Sequence, residues 1–269
     1  MTTCICACHK NSPAASPPFA ETPVLSPVTS GVIDEASGIA DSHANPGLLW
    51  VIQDSQQPTA LYVLNHNGQH GKKIFIKNVT NRDWEELAIA DGPVAGKKYL
   101  YIGETGDNGL AYTNYSIYRL EEPAIATDTI TQVDKLNFVY PDGPHDAEAL
   151  FIDPSTRDIY IITKRDVPSK VYKLAYPQST NNTASYVMDL PYTGVVAACI
   201  SAQKELLIKT YSNIYYYSSF DLKSKYVTLA YQPEPQGEAI TFSDDNTGFF
   251  TLSEKAFAPS VSLGFYKRK

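Results

Sequence analysis

"DAEALFIDP", Asp146 to Pro154, is a short apolar strand with a polar mouth. Leu150, Phe151 and Ile152 read as core, and Asp153-Pro154 stops the run as a turn signal. His145, Asp146 and Glu148 stand at its start, where a core strand has no need of ionisable groups. The stretch recurs as "EASGIADS" from Glu35, "DWEELAIAD" from Asp83, "VVAACISA" from Val195 and "GEAITFSDD" from Gly237. After a polar turn each is followed by a second apolar run: "LLWVIQD", "YLYIGE", "IYIITKR", "LLIKTY" and "FFTLSEK". A third run comes next: "ALYVLN", "SIYRLEEP", "KVYKLAYP", "NIYYYSS" and "SLGFYKR". Four units add a fourth: "KKIFIKN", "KLNFVYP", "ASYVMDLP" and "KYVTLAYQP".

Four short strands per unit, repeated at a period of roughly 40 to 60 residues, mark a β-propeller. Five units fit, so the expected fold is all-β, a five-bladed propeller of four-stranded blades. The last unit lacks a fourth strand, and "PVLSPVTSGVI" near the N-terminus is the natural donor. It would close the ring and leave no open edge at the seam. The propeller is expected over residues 24–269, with residues 1–23 as a separate tail.

Composition agrees. The chain has 269 residues, 43% hydrophobic and 19% charged, with 19 tyrosines. That suits one large β domain with a full core. A net charge of −7 argues against a nucleic-acid partner. No apolar run approaches the length of a membrane span. Three of the four cysteines, Cys4, Cys6 and Cys8, crowd the tail and Cys199 stands alone, so the body has no disulfide framework. Ile5-Cys6-Ala7-Cys8 is similar to a bacterial lipobox, which would make Cys8 the lipidated residue and residues 9–23 a disordered tether. A charged leader is missing, so a truncated signal and an ordinary tail both stand as readings. Zinc binding by the three cysteines has the wrong spacing.

Aligning the units puts Ser37, Glu85, Glu148, Val196 and Glu238 at equivalent positions. Strand side chains alternate, so Glu148 is expected to point with Leu150 and Ile152, inward to the axis. Carboxylates crowded in a channel need compensation. A hard divalent cation such as Ca²⁺, held by Ser37, Glu85, Glu148 and Glu238, supplies it. A water-filled channel lined by hydrogen-bonded acids is the alternative.

The second strand of each unit returns to the face where the first begins. Its end, with the neighbouring first-strand start, gathers Asp54, Arg82, Glu104, Asp107, His145, Lys164, Arg165, Lys209, Tyr211 and Glu254. These form either a polar ligand-binding face or an ion-pair network between blades. His145 beside Asp146 is a candidate base, although a structural histidine is the commoner case.

"SGIADSHANPGLLWVIQDS", "NRDWEELAIADG", "YLYIGETGDN", "YPDGPHDAEALFIDP", "YIITKR" and "PQGEAI" resemble an uncharacterised family of bacterial secreted or lipid-anchored β-propellers, over roughly Ser37 to Glu254. The resemblance implies an extracytoplasmic, lipid-anchored protein and carries no activity with it. The acid pattern is also similar to the five-bladed soluble calcium-activated nucleotidases, the apyrases, which hold one Ca²⁺ with serines and glutamates. Ser37, Glu85, Glu148 and Glu238 match that scheme, and Val196 departs from it. The expected function is therefore a monomeric envelope propeller with a divalent ion at its channel and a face for a polar small molecule, glycan or envelope protein. Its contact with the membrane is through the lipid anchor only. The alternative is a calcium-dependent hydrolase of phosphate esters or glycosides.

Overall fold

The computed structural model describes residues 17–29 and 31–269, and Cys4, Cys6 and Cys8 lie outside it. Among the described residues there are twenty-two strands and no helix. Blade 1 holds β2 (Ala36–Asp41), β3 (Leu48–Gln53), β4 (Ala60–Asn65) and β5 (His70–Ile76). Blade 2 holds β6 (Trp84–Asp91), β7 (Lys98–Glu104), β8 (Tyr115–Glu121) and β10 (Asp134–Val139). Blade 3 holds β11 (Ala147–Ile152), β12 (Ile159–Thr163), β13 (Lys170–Leu174) and β15 (Ser185–Asp189). Blade 4 holds β16 (Val195–Ile200), β17 (Leu206–Thr210), β18 (Ile214–Tyr217) and β19 (Val227–Leu229). Blade 5 holds β20 (Ala239–Phe242), β21 (Gly248–Leu252) and β22 (Ser262–Lys267), completed by β1 (Val24–Pro27). The first strands β2, β6, β11, β16 and β20 touch in that order and back to β2, so the ring is closed.

The protein is thus a five-bladed β-propeller, closed by its N-terminal strand as the sequence predicts. Leu25 of β1 pairs antiparallel with Gly264 of β22. The seam extends further than expected. Phe19 is buried and bridges Arg268, and the Ala20 amide donates to the Lys267 carbonyl at 2.8 Å. Residues 17–23, expected to belong to a tether, are therefore part of blade 5 and its packing against blade 4. The sequence hid this because Phe19 is a lone aromatic among Ser, Pro and Ala.

Two short strands were not foreseen. β9 (Thr129–Ile130), from the loop inside blade 2, pairs parallel with β5 of blade 1. β14 (Asn181–Thr183), from blade 3, pairs parallel with β10 of blade 2. Each stitches a blade to the one before it at the outer edge. Segments of two or three residues carry no periodic signal, which is why sequence reasoning passes over them.

The direction of the inner-strand side chains is a correction. Leu150 and Ile152 do not face the axis. With Ala147 they pack on Tyr99, Tyr101 and Ile117 of blade 2. Ala149 and Phe151 pack on Val195, Ala198 and Ile208 of blade 4. Blades stack face to face, so both faces of an inner strand are buried and its backbone edge looks at the axis. The small residues Gly38, Ala149, Ala197 and Ala239 let neighbouring backbones approach. A Cβ on Gly38 would run into the backbone of Glu86 and Leu87. Gly38→Ala is expected to cost about 1–3 kcal/mol by overpacking, read as a lower urea midpoint with an unchanged slope.

Candidate functional site

The acids reach the channel because of a backbone irregularity. The pairing of β2 with β3 slips between Ala36 and Gly38, that of β6 with β7 between Trp84 and Glu86, and that of β11 with β12 between Ala147 and Ala149. β16 and β17 slip likewise between Val195 and Ala197. Ser37, Glu85, Glu148 and Val196 are thus the extra residues of β-bulges, released from the ladder and re-aimed. Glu238 stands in the same place, between the bond from the Glu254 amide to the Gln236 carbonyl (3.1 Å) and the Ala239–Leu252 pair. Strict alternation did not anticipate this. The five equivalent positions were legible; the bulge that makes them equivalent was not.

The bulges bring carboxylates together. Single oxygens of Glu85, Asp146 and Glu148 lie within 4.8 Å of one another, and so do those of Asp54, Asp83 and Glu85. Glu85 belongs to both groups. Asp83 and Asp146, not among the expected ion ligands, complete them. Burial, then the charges of Glu148, Asp83 and Asp54, drives the Glu85 carboxyl well above its usual range. Burial and then Glu238 do the same to Glu148, despite Lys164. Asp83 is pushed up to about 7, by burial first and then by Asp54, and Glu254 to about 9, by burial and then Glu238.

Cations relieve one side only. Lys164 Nζ donates to Glu148 Oε1 and lies 3.4 Å from Glu238 Oε1. Burial opposes its charge, but the two glutamates outweigh it and hold it protonated. Tyr211 donates its hydroxyl to Glu238 Oε1 and accepts from Lys164 at 3.0 Å. Arg165 Nε donates to Asp146 Oδ2 at 2.7 Å, and the Asp107 amide to Asp146 Oδ1 at 2.7 Å. Among the described residues no such partner serves Glu85: the leading charges that act on it are all negative. Two buried oxygens on these bulge residues, Glu148 Oε2 and Ser37 Oγ, have no hydrogen-bond partner among the described residues. Gly106 closes over the acids, and a Cβ there would overlap Glu85 Oε1 and Asp83 Oδ2.

Several expected face residues serve the fold instead. Lys209 is fully buried, bonded to the Gly237 carbonyl and 3.9 Å from Glu234, so it lies between blades 4 and 5 rather than on the face. Burial brings its pKa down to about 8. Glu104 accepts from Thr80 Oγ1 and the Arg82 amide, and Asp107 accepts from the Ala111 and Tyr112 amides and the Tyr115 hydroxyl. Both tie down loops. Arg82 stacks on Tyr112 at 3.7 Å. His145 is held between Asp166 at Nδ1 (2.8 Å) and Asp142 at Nε2 (3.2 Å), with Tyr172 also at Nε2. Both ring nitrogens are engaged, the arrangement of a structural histidine. Glu254 accepts from Gln236 at 2.7 Å. Of these residues only Lys209 bridges two blades; the others tie loops and strand ends within their own blade, leaving Asp54, Lys164, Arg165, Tyr211 and the bulge acids at the mouth.

Glu86 was missed altogether. It occupies the level where the other blades place Gly38, Ala149, Ala197 and Ala239. Its Oε2 accepts the Ala198 amide of blade 4 at 2.9 Å, and Oε1 its neighbour Leu87 at 3.0 Å. Blades 2 and 4 are not adjacent, so this fully buried carboxyl spans the axis beneath the acidic mouth. Burial pushes its pKa far up. The signal was available: one Glu in a register otherwise small.

The sequence matches no protein-family profile. It matches no curated relative either. Among solved structures, a gluconolactonase from Xanthomonas campestris superposes with a TM-score of 0.49 and 13% identity, covering 97% of this chain and 100% of that one. The WD40 domain of Neurospora crassa Pan2 does so with a TM-score of 0.40 and 12% identity, covering 87% of this chain and 64% of that one. Similarity at this level carries no activity across.

Proposed function

We propose that the propeller binds a divalent cation, Ca²⁺ by its chemistry, in the bulge-lined mouth, and uses the ion and the surrounding face to hold a polar ligand. The observation that carries this is Glu85. It sits in two carboxylate groups at once, buried, with no cationic partner among the described residues, beside the orphaned Glu148 Oε2 and Ser37 Oγ. Hard oxygen donors from carboxylates and a hydroxyl suit Ca²⁺, which accepts six to eight ligands in a flexible shell. Glu85, Glu148, Asp83, Asp54 and Ser37 would hold it, with Glu238 beside them through Lys164 and Tyr211. In this reading the ligand is a polar small molecule, a glycan or an envelope protein, and the setting is extracytoplasmic, tethered through Cys8.

A hydrolytic reading adds one observation. Lys164 is held charged at the mouth beside Tyr211, where it can meet an anionic ester drawn to the ion. Chelator-sensitive turnover of phosphate esters or glycosides separates it from binding alone.

The test is a calorimetric titration of metal-stripped protein. Ca²⁺ is expected to bind at one site and more tightly than Mg²⁺, which demands a smaller octahedral shell. Glu85→Gln should weaken binding by at least about tenfold, near 1.4 kcal/mol. Protein that gives no heat with Ca²⁺ and carries no metal on elemental analysis would end the proposal.

A further inference from the structure

A cavity lies at the other end of the channel. Its lining includes Asp41, Asp91, Ile152, Ile200 and Phe242. These are the last residues of β2, β6, β11, β16 and β20, whereas the acidic mouth is built where those strands begin. The cavity holds about 330 Å³, within the size range of small-molecule pockets. Glu86 separates the two ends, since its carboxyl crosses the axis to the Ala198 amide. What enters from this side meets a different chemistry from that of the mouth.

The floor is apolar: Leu87, Phe151, Ile200 and Phe242. The rim is acidic: Asp91 and Asp244, with Asp41 buried behind them and held by His66 Nε2 at 2.7 Å and the Asp244 amide at 2.8 Å, against one lysine, Lys98, and His43. Asp91 and Asp244 stay half-exposed while paired, to Lys98 at 2.9 Å and His43 Nδ1 at 2.9 Å. With the histidines neutral, the two rim carboxylates, with Asp41 behind them, face a single obligate positive charge. Three polar groups of the wall are already engaged. Ser243 Oγ accepts the Gly248 amide, Ser201 Oγ the Glu205 amide, and Asn246 Oδ1 an Arg268 guanidinium N–H. No buried, unpartnered polar side-chain atom lines this cavity among the described residues. A ligand there is not asked for directional hydrogen bonds. It is asked for an apolar body and a charge that suits a negative rim.

We propose that this second pocket binds a small organic ammonium ion, an alkyl or aralkyl amine whose apolar part rests on Ile89, Ile200 and Phe242 and whose cationic end stays between Asp91 and Asp244. Burial of the apolar part supplies the attraction, and the rim carboxylates choose the sign of the head group. The site is independent of the cation at the mouth.

The probe is hexylammonium, with hexanol and hexanoate as neutral and anionic counterparts of the same chain. The full chain is kept in excess Ca²⁺, and binding is followed by the methyl resonances of labelled isoleucine. Ile89, Ile152 and Ile200 line the cavity, so their methyls are expected to shift. Hexylammonium should bind at least tenfold more tightly than hexanoate. The double variant Asp91→Asn with Asp244→Asn should remove most of that preference and leave hexanol unchanged; both residues are half-exposed, and either single variant serves if the double fails to fold. Glu85→Gln should have no effect. Unshifted methyls at these three isoleucines, equal binding of hexanoate, or hexylammonium binding that follows Glu85 rather than the rim aspartates overturns the proposal. Failure of Ca²⁺ to bind at the mouth does not touch it, because the isoleucine shifts report this end alone.

Discussion

Stripping the protein with a chelator at pH 8 is expected to lower its melting temperature by about 5–10 °C, and Ca²⁺ at a hundredfold excess over Kd to restore it. An ion bound only by the folded state adds RT ln(1 + [L]/Kd), about 2.7 kcal/mol at that excess. A domain of this size shifts by about 2–4 °C per kcal/mol. The pH dependence has a definite sign. Asp83, at about 7, and Glu254, at about 9, keep protons in the folded state that the unfolded chain has already released. The folded state binds more protons, so ion-free stability is fullest below about pH 4 on account of these groups and falls as pH rises towards about 9. Glu85 and Glu148 act in the same direction. Ca²⁺ displaces such protons, so it should flatten the fall and release acid on binding. Glu85→Gln then behaves in two ways at once. In chelator it should be more stable than the wild type at pH 8, because a repelling charge is gone. In Ca²⁺ it should gain less. A chelator-insensitive wild type with the same ion-free pH slope would mean that the acids share protons instead of an ion.

The second large effect lies at the seam. Phe19 packs edge-on against Tyr216 and Phe249, at 5.6 and 4.9 Å between ring centres, under the Arg268 guanidinium. Phe19→Ala should cost about 3–5 kcal/mol, the range for emptying a buried phenylalanine site. A chain starting at Val28 loses Phe19 and the whole of β1, leaving β22 as an open edge. Against a total stability of about 5–15 kcal/mol, that truncation should populate partly unfolded, association-prone protein at room temperature. Thermal unfolding and light scattering of the two variants check this. A Phe19→Ala protein that melts with the wild type would show that the seam does not depend on the ring.

The architecture was legible because each blade repeats the same polar start and apolar run, and repetition survives errors in any single strand. "DAEALFIDP" and "DWEELAIAD" were enough to align the ring and to pick Glu85 and Glu148. Geometry was harder. A bulge adds one residue without changing composition, so alternation sent Leu150 to the axis when it belongs between blades. Asp146 was seen at the strand entrance but not as a partner of Glu85, since that proximity depends on the bulges of two different blades. Lys209 looked like a surface base because its strand ends at the face, yet its long side chain turns into the gap between blades. Glu86 was passed over as the second of two acids, although its three neighbours in register are alanine and the fourth is glycine.

The bulges also divide labour within each inner strand. A residue outside the ladder can be exchanged while the strand pairing around it stays as it is, so the mouth is in effect a five-letter word, Ser-Glu-Glu-Val-Glu, written on an invariant frame. Changing a letter would alter the groups the channel presents without asking the ring to refold. Val196 is the letter to rewrite first: it is buried and apolar in a place where three other blades carry an acid. A serine there would add a hydroxyl to the set, and the same frame would accommodate a quite different vocabulary of ligands.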